Sequence, residues 1–267
     1  MRLDQTLVVR GLCESRTEAQ ELIESGFVLV NGVVNKKQAK SILEEDIIEL
    51  MARRKYVSRG GEKLEGVFQD VFKYKREFLV RQMSNVLQSS ETPARGTLVE
   101  QGYPLLDGIL ALDIGSSTGG FTDCLLQFGV SHVDAVDVGT EQLHVKLRND
   151  PRISLFENTD IREFKTDILY DLVVADLSFI SLEAVLDTIL AFGKTDAEFF
   201  LLLKPQFEVG KGNTKKGIVK DGDLVSKVLK RYENAAKSKG LRSVSIFPCH
   251  IQGGDGNQEF FLVGSKQ

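Results

Sequence analysis

Four charged side chains stand where loops meet regular structure: Lys63 in RGGEKL, Asp176 in VADLSF, Lys204 in LLLKPQFE and Glu259 in GNQEFF. A Lys-Asp-Lys-Glu set suits methyl transfer to a ribose 2′-hydroxyl, a weak acid that must shed its proton as it attacks an electrophilic methyl. Burial and a nearby second cation favour a neutral lysine able to take that proton. Lys204 is the candidate base, Lys63 the second cation, and Asp176 and Glu259 would orient the amines and hold the hydroxyl. Other methylation chemistries fit less well. An amine-methylating loop would favour Asn/Asp-Pro-Pro-aromatic where ADLSF stands, and a cysteine-based cytosine C5 enzyme would want Pro-Cys there. The plainer alternative is a structural ion pair between Lys204 and Glu259.

A second constellation surrounds ILALDIGSSTGGFT, residues 109–122. An apolar run ends in Asp113, a turn follows through Gly115, Ser116, Ser117, Thr118, Gly119 and Gly120, and a helix pattern opens at Phe121. Open α/β sheets bind ligands at the carboxyl ends of their strands. The turn has no Lys-Ser/Thr after a second glycine, so it is no P-loop, and it fails G-x-G-x-x-G. An acid ahead of the glycines repels phosphate and welcomes a cationic amino-acid group, which S-adenosylmethionine carries. Asp137, 24 residues past Asp113, suits a ribose diol, a reading that serves NAD equally. Asp160 could take an adenine amino group, with Val138 and Ile161 beside these acids. Singly, each acid is more often a cap or loop residue. Three at predicted strand ends favour a nucleoside pocket.

These residues need a sheet to place them. Strands are expected over residues 109–114, 132–138, 153–157, 171–175, 199–203, 242–247 and 259–263, with helical patterns between most, such as 182–192 and 223–239. That alternation predicts a doubly wound α/β fold. The last two strands are joined by a loop too brief for a crossover helix and should pair antiparallel. The 267-residue chain suffices for one large core or a core plus a small module. No apolar run reaches membrane-span length, and MRLDQTLVVRG is a poor signal peptide. Cys13, Cys124 and Cys249 are far apart and odd in number. They read as reduced thiols of a cytoplasmic protein, with no metal site. A net charge of −4 argues against indiscriminate nucleic-acid binding.

Residues 1–52 read as a small α+β module with two helical patterns, 2–9 and 15–24, and strands about the Asn31-Gly32 turn. It is charge-balanced, with nine Lys/Arg and nine Asp/Glu through Lys55. Residues 53–62 read as a basic linker containing Arg53, Arg54 and Arg59, in which Tyr56 could stack on a base. The second domain is expected over 63–267, with 73–105 as an insertion of helix and surface loop.

The segment RLDQTLVVRGLCESRTEAQELIESGFVLVNG resembles the S4-type RNA-binding domain. By that resemblance Arg2, Ser15, Arg16, Asn31, Lys36, Lys37 and Lys40 are expected RNA contacts. Together with YVSRGGEKL, LDIGSSTGGFTD, ADLSFISL, LLLKPQFE and GNQEFF, the chain resembles the TlyA (hemolysin A) family, whose catalytic domain is similar to FtsJ/RrmJ-type methyltransferases. The resemblance implies a Rossmann-like S-adenosylmethionine-dependent sheet with an antiparallel terminal hairpin behind an N-terminal S4 domain. It also implies 2′-O-methylation of cytidine in ribosomal RNA or ribosomal subunits, with Lys63, Asp176, Lys204 and Glu259 as the catalytic tetrad. The 215–219 loop resembles a family stretch near the substrate groove. The family usually links the Lys63-type helix to the glycine strand briefly, and residues 73–105 depart from that. The competing readings are a catalytically silent RNA-binding protein and a membrane-active hemolysin, for which no apolar span or barrel segment is evident.

Overall fold

The computed structural model describes the chain except residues 14, 25, 52–54, 75–105, 179 and 211, and except the side chains of 18, 21 and 72–74. Two compact units emerge, Met1–Lys55 and Tyr56–Gln267. The expected insertion at 73–105 falls almost wholly outside the described residues, as do Arg53 and Arg54.

The first unit contains α1 (Leu3–Val9), α2 (Arg16–Glu24), β1 (Val28–Val30), β2 (Val33–Val34) and β3 (Ile48–Leu50), with the antiparallel sheet ordered β2-β1-β3. Leu3, Leu7, Ala19, Ile23, Val28 and Val30 form its core. Positive φ at Asn31 (53°) and Gly32 (74°) gives the β1–β2 hairpin a turn that matches strand twist.

The second unit opens with α3 (Arg59–Tyr74), then β4 (Leu110–Ile114), α4 (Gly120–Gln127), β5 (His132–Val136), α5 (Val145–Arg148), β6 (Ile153–Phe156) and β7 (Tyr170–Ala175). It continues through a 3₁₀ turn (Leu182–Ala184), α6 (Leu186–Ala191), β8 (Gly193–Leu203), α7 (Pro205–Glu208), α8 (Gly222–Ser238), β9 (Leu241–Pro248) and β10 (Phe260–Lys266). The seven strands run β6-β5-β4-β7-β8-β10-β9. Strands β4 to β8 pair parallel, and β10 pairs antiparallel with both β8 and β9. The final strand is therefore inserted beside β8, with β9 at the edge.

Strands covered on both faces need apolar residues at consecutive positions. Along β8, Phe200 and Leu202 face one cluster with Phe68, Leu125 and Phe128, and Phe199, Leu201 and Leu203 face another with Leu186, Ile189 and Tyr232. The Phe68 ring meets Phe128 and Phe200 edge-on, at 5.1 and 4.8 Å between centroids, an arrangement aromatic quadrupoles favour.

Three elements differ from expectation. Residues 59–62, read as linker, are the first turn of α3. Their glycines serve packing, because a Cβ on Gly61 would collide with the Tyr56 ring. Tyr56 is 2% exposed and packs in the core, so its side chain is not available to stack on a base. The helical pattern at 182–192 divides into a 3₁₀ turn and a short helix at Val185, whose φ of −122° breaks the helical run. Strand β8 begins at Gly193, six residues before the expected start, because the charged residues Lys194, Asp196 and Glu198 obscure its beginning.

Candidate active site

Three neighbouring strands deliver three of the four charged residues to one end of the sheet. Asp176 follows β7, Lys204 follows β8 and Glu259 precedes β10. Antiparallel pairing puts the start of β10 beside the end of β8, with Phe260 opposite Leu203. The fourth residue, Lys63, comes from α3, where Leu64, Val67, Phe68 and Val71 anchor the helix to the core.

The four form two ion pairs. Lys63 Nζ donates to Glu259 Oε2 at 2.5 Å, and both side chains are buried, at 9% and 4% exposure. Lys204 Nζ lies 2.6 Å from Asp176 Oδ1 and donates to Ser178 Oγ at 2.8 Å. The pairing therefore differs from the Lys204–Glu259 alternative raised by the sequence. Glu259 Oε1 also accepts a long bond from Gln206 Nε2, at 3.5 Å. The buried Cys249 thiol is pushed up to about 12 by desolvation, and it feels the charges of Lys63, Glu259, Asp176 and Lys204.

Alongside lies a cleft of about 590 Å³, lined by Gly115, Ser117, Asp137, Val138, Asp160, Ile161 and Asp176 among others. Asp176 thus belongs to both the cleft and the ion-pair cluster. Asp113, next in sequence to the cleft-lining Ile114 and Gly115, has no exposed surface. Its Oδ2 accepts from Thr122 Oγ1 at 2.5 Å, while its Oδ1 has no partner among the described residues. Burial pushes the Asp113 carboxyl up to about 7; the Thr122 hydrogen bond opposes the rise, and the Asp176 and Asp137 charges add to it. An orphaned carboxylate oxygen costs free energy unless a ligand donor or cation meets it. Gly115, at φ 78°, has room for no Cβ, which would come within 2.5 Å of the Asp176 carbonyl.

Asp137 accepts Ser117 N–H at 2.8 Å and Gly139 N–H at 2.6 Å, one on each oxygen. A carboxylate offers about four lone-pair sites, so capacity for a diol remains. Asp160 accepts from the Arg162 guanidinium on both oxygens and from Arg162 N–H, and the side-chain contact holds its carboxyl down at about 2. Its oxygens are more occupied than the sequence reading assumed.

Other predicted cofactor residues face elsewhere. Ser116 is buried with its hydroxyl unpartnered among the described residues, and Thr118 is exposed. At Gly119, φ 89°, a Cβ would run into Leu147 and Leu143, and at Gly120 into Ser58. Phe121 packs against Phe261, 5.8 Å between centroids. Gly119, Gly120 and Phe121 thus seat α4 in the core and do not line the cleft. Residues not singled out from sequence include Ser178, Gln206 and Cys249. The first two stand inside ADLSF and LLLKPQFE, beside residues whose charge drew attention first.

In the first unit, buried Asp4 collects Arg2 Nε at 3.0 Å, Arg16 Nε at 2.8 Å and Gln20 Nε2 at 3.0 Å. Arg2 and Arg16 remain 44% and 52% exposed at the side chain. Ser15, Lys36 and Lys37 are exposed and Lys40 is half-buried. Asn31, also exposed, has a second role in the fold. Its Nδ2 donates to Asp46 Oδ1 at 2.7 Å and its Oδ1 accepts Ile47 N–H at 2.9 Å, so its amide fastens the turn. Arg59, in the second unit, is exposed.

The FtsJ-like methyltransferase family matches residues 56–266 and the S4 domain family residues 1–48. The chain is 36% identical to the 16S/23S rRNA (cytidine-2′-O)-methyltransferase TlyA of Mycobacterium tuberculosis, across 98% of this chain and 88% of that protein. The chain belongs to the TlyA family. A second TlyA relative, the 23S rRNA (cytidine-2′-O)-methyltransferase of Campylobacter jejuni, is 34% identical over the full length of both. A solved structure from Streptococcus thermophilus with a provisional hemolysin description superposes at TM-score 0.66, with 31% identity over 100% of this chain and 88% of that one. Like other TlyA-family chains, this protein is an S-adenosylmethionine-dependent methyltransferase with an FtsJ-like catalytic unit and an S4 domain. The chemistry of these residues would suit that cofactor: Asp137 keeps acceptor capacity for a diol, and the orphaned Asp113 Oδ1 would suit a cationic group. Among the described residues, no helix is long and apolar enough to cross a membrane.

Proposed function

We propose that this TlyA-family chain methylates the 2′-hydroxyl of a cytidine in ribosomal RNA, with the S4 domain binding the RNA. The observation that carries the reading is the pair of Lys–carboxylate contacts at the sheet end, one of them sharing Asp176 with the cleft. S-adenosylmethionine supplies an electrophilic methyl group. Lys204, its Nζ neutral after releasing one proton to solvent, takes the 2′-hydroxyl proton as the oxygen attacks, with Asp176 and Ser178 fixing the direction of its remaining protons. Lys63, held by Glu259, supplies a fixed positive charge near the developing alkoxide and asks little reorganisation of the site. Gly115, Ser117, Asp137, Val138, Asp160 and Ile161 hold the cofactor from the cleft, and Asp113 offers its orphaned oxygen to the cationic group.

In the first unit, Arg2 and Arg16 meet RNA phosphates, with Asp4 holding both guanidiniums in place and Lys36, Lys37 and Lys40 adding charge. Arg59, in the first turn of α3, and Arg53 and Arg54, outside the described residues, add further charge for RNA. The test is transfer of labelled methyl to purified ribosomal subunits by the native chain and Lys204→Ala. Label in ribose 2′-O-methylcytidine, lost at least 100-fold in the variant with S-adenosylmethionine affinity retained, is the expected result. Label on a base, or equal rates in the two proteins, would overturn the reading.

A further inference from the structure

Beside Glu259, two positions earlier in GNQEFF, stands a buried polar side chain that the reaction does not use. Asn257 is 3% exposed, and both ends of its amide bind the backbone of a loop 38 to 40 residues away. Nδ2 donates to the Gly217 carbonyl at 2.9 Å and Oδ1 accepts Val219 N–H at 3.0 Å. The orientation of the amide is fixed, because a carbonyl only accepts and an N–H only donates.

The loop it grips is itself closed. Lys215 and Ile218 exchange backbone hydrogen bonds of 2.9 and 3.1 Å across Lys216 and Gly217, whose φ values are 52° and 79°. Two positive φ values at the centre of a four-residue turn make a rigid, hairpin-type tip. Lys215, Lys216 and Lys220 are exposed there. The other end of the connection is equally fixed. The Asn257 carbonyl accepts Gly253 N–H at 2.9 Å, and a Cβ on Gly253 would lie 2.6 Å from Glu259 Oε1. Asn257 therefore joins a lysine-bearing turn to the short segment that presents Glu259.

We propose that Asn257 is a positioning residue that holds the Lys215–Ile218 turn at a set distance from the tetrad, so that Lys215 and Lys216 grip the phosphates of the RNA strand entering the site. This rests on the RNA methyltransferase reading above. Lysine ammoniums neutralise phosphates without reading sequence, which suits a contact that sets reach rather than choice of base. A loop free to wander would lose the benefit, since ordering it on binding costs conformational entropy.

The experiment compares native chain, Asn257→Ala, Asn257→Asp, Lys215→Ala/Lys216→Ala and the triple variant with ribosomal subunits as substrate. Expected for Asn257→Ala are a KM for RNA raised about tenfold, kcat changed less than threefold and an unaltered Kd for S-adenosylmethionine. Asn257→Asp, which keeps the acceptor for Val219 N–H, should recover part of the loss. Asn257→Ala should add little to the lysine double variant, because both act through one contact. An unchanged KM for RNA, a fall confined to kcat, a weakened cofactor Kd, or full additivity with the lysine changes would each overturn the proposal. If the native chain transfers no methyl to either subunit, the function reading fails. The same variants, compared by filter binding to ribosomal RNA, then still decide whether Asn257 and the lysines act through one contact.

Discussion

Replacing Asp113 by asparagine separates what a buried carboxylate costs the fold from what it contributes to the cofactor. Burial raises this carboxyl from an ordinary 3.8 to about 7. Between those pH values the folded protein holds a proton that the unfolded chain has released. The stability this represents is fully present below about pH 4 and is lost as pH rises through about 7. At about 1.4 kcal/mol per pH unit the interval amounts to at most roughly 4 kcal/mol, borne by the cofactor-free protein above pH 7. Asparagine preserves the shape and an acceptor for Thr122 and brings no charge to bury. In thermal unfolding without cofactor, Asp113→Asn should therefore exceed the native chain by an amount that widens from pH 5 to pH 8. At pH 8 the gap should be on the order of 10 °C. On the cofactor role proposed for Asp113, saturating S-adenosylmethionine should close or reverse that order, because the carboxylate and not the amide offers a negative charge to the ligand's cationic group, and binding stabilises by mass action. A gap independent of pH, or equal cofactor affinity in the two proteins, would refute the reasoning.

The two ion pairs should differ in what they contribute to the fold. Glu259→Gln strands the Lys63 ammonium in a buried site and should cost about 3–5 kcal/mol, whereas Asp176→Asn leaves Lys204 its Ser178 contact and should cost less than about 2 kcal/mol. Urea midpoints of the two variants check the order. In the first unit, the hydrogen bond from Arg2 holds the Asp4 carboxyl well below the usual carboxylate range. Its stabilisation is present above about pH 4 and lost as pH falls. Asp4→Asn should therefore reduce amide protection in α1 of the full chain at pH 7, and the difference from native should shrink as the solution is acidified below pH 4.

The sheet was legible because its strands obey a simple rule: apolar runs that end in a charged residue. Asp113, Asp137, Asp176 and Lys204 mark four such ends, and the short connection between the last two strands gives their antiparallel pairing. The partners within the tetrad were not legible. They depend on β10 lying beside β8, and no local pattern states that neighbour relation. Glycines misled where their purpose was packing. Gly60 and Gly61 read as a linker, yet they let α3 form close to Tyr56 and α4, and Gly119 and Gly120 belong to the seat of α4 more than to the cleft. Asn31 shows a structural role that its sequence did not reveal, since its amide ties the β1–β2 turn to Asp46 and Ile47 ahead of β3.

The insertion of β10 between β8 and β9 has a consequence for how the enzyme comes into being. Lys63 and Glu259 are 196 residues apart, and β8 and β9 have no contact along the sheet until the last strand fills the gap. A ribosome delivers β10 after both of its sheet neighbours. Until then β8 has an unpaired edge and β9 has no strand partner at all, a state prone to aggregation, and Lys63 lacks Glu259 as its counterion. The Lys63–Glu259 ion pair thus cannot form until residue 259 has been made. A chain cut short before residue 259 should yield no weak enzyme, only a substrate for proteases.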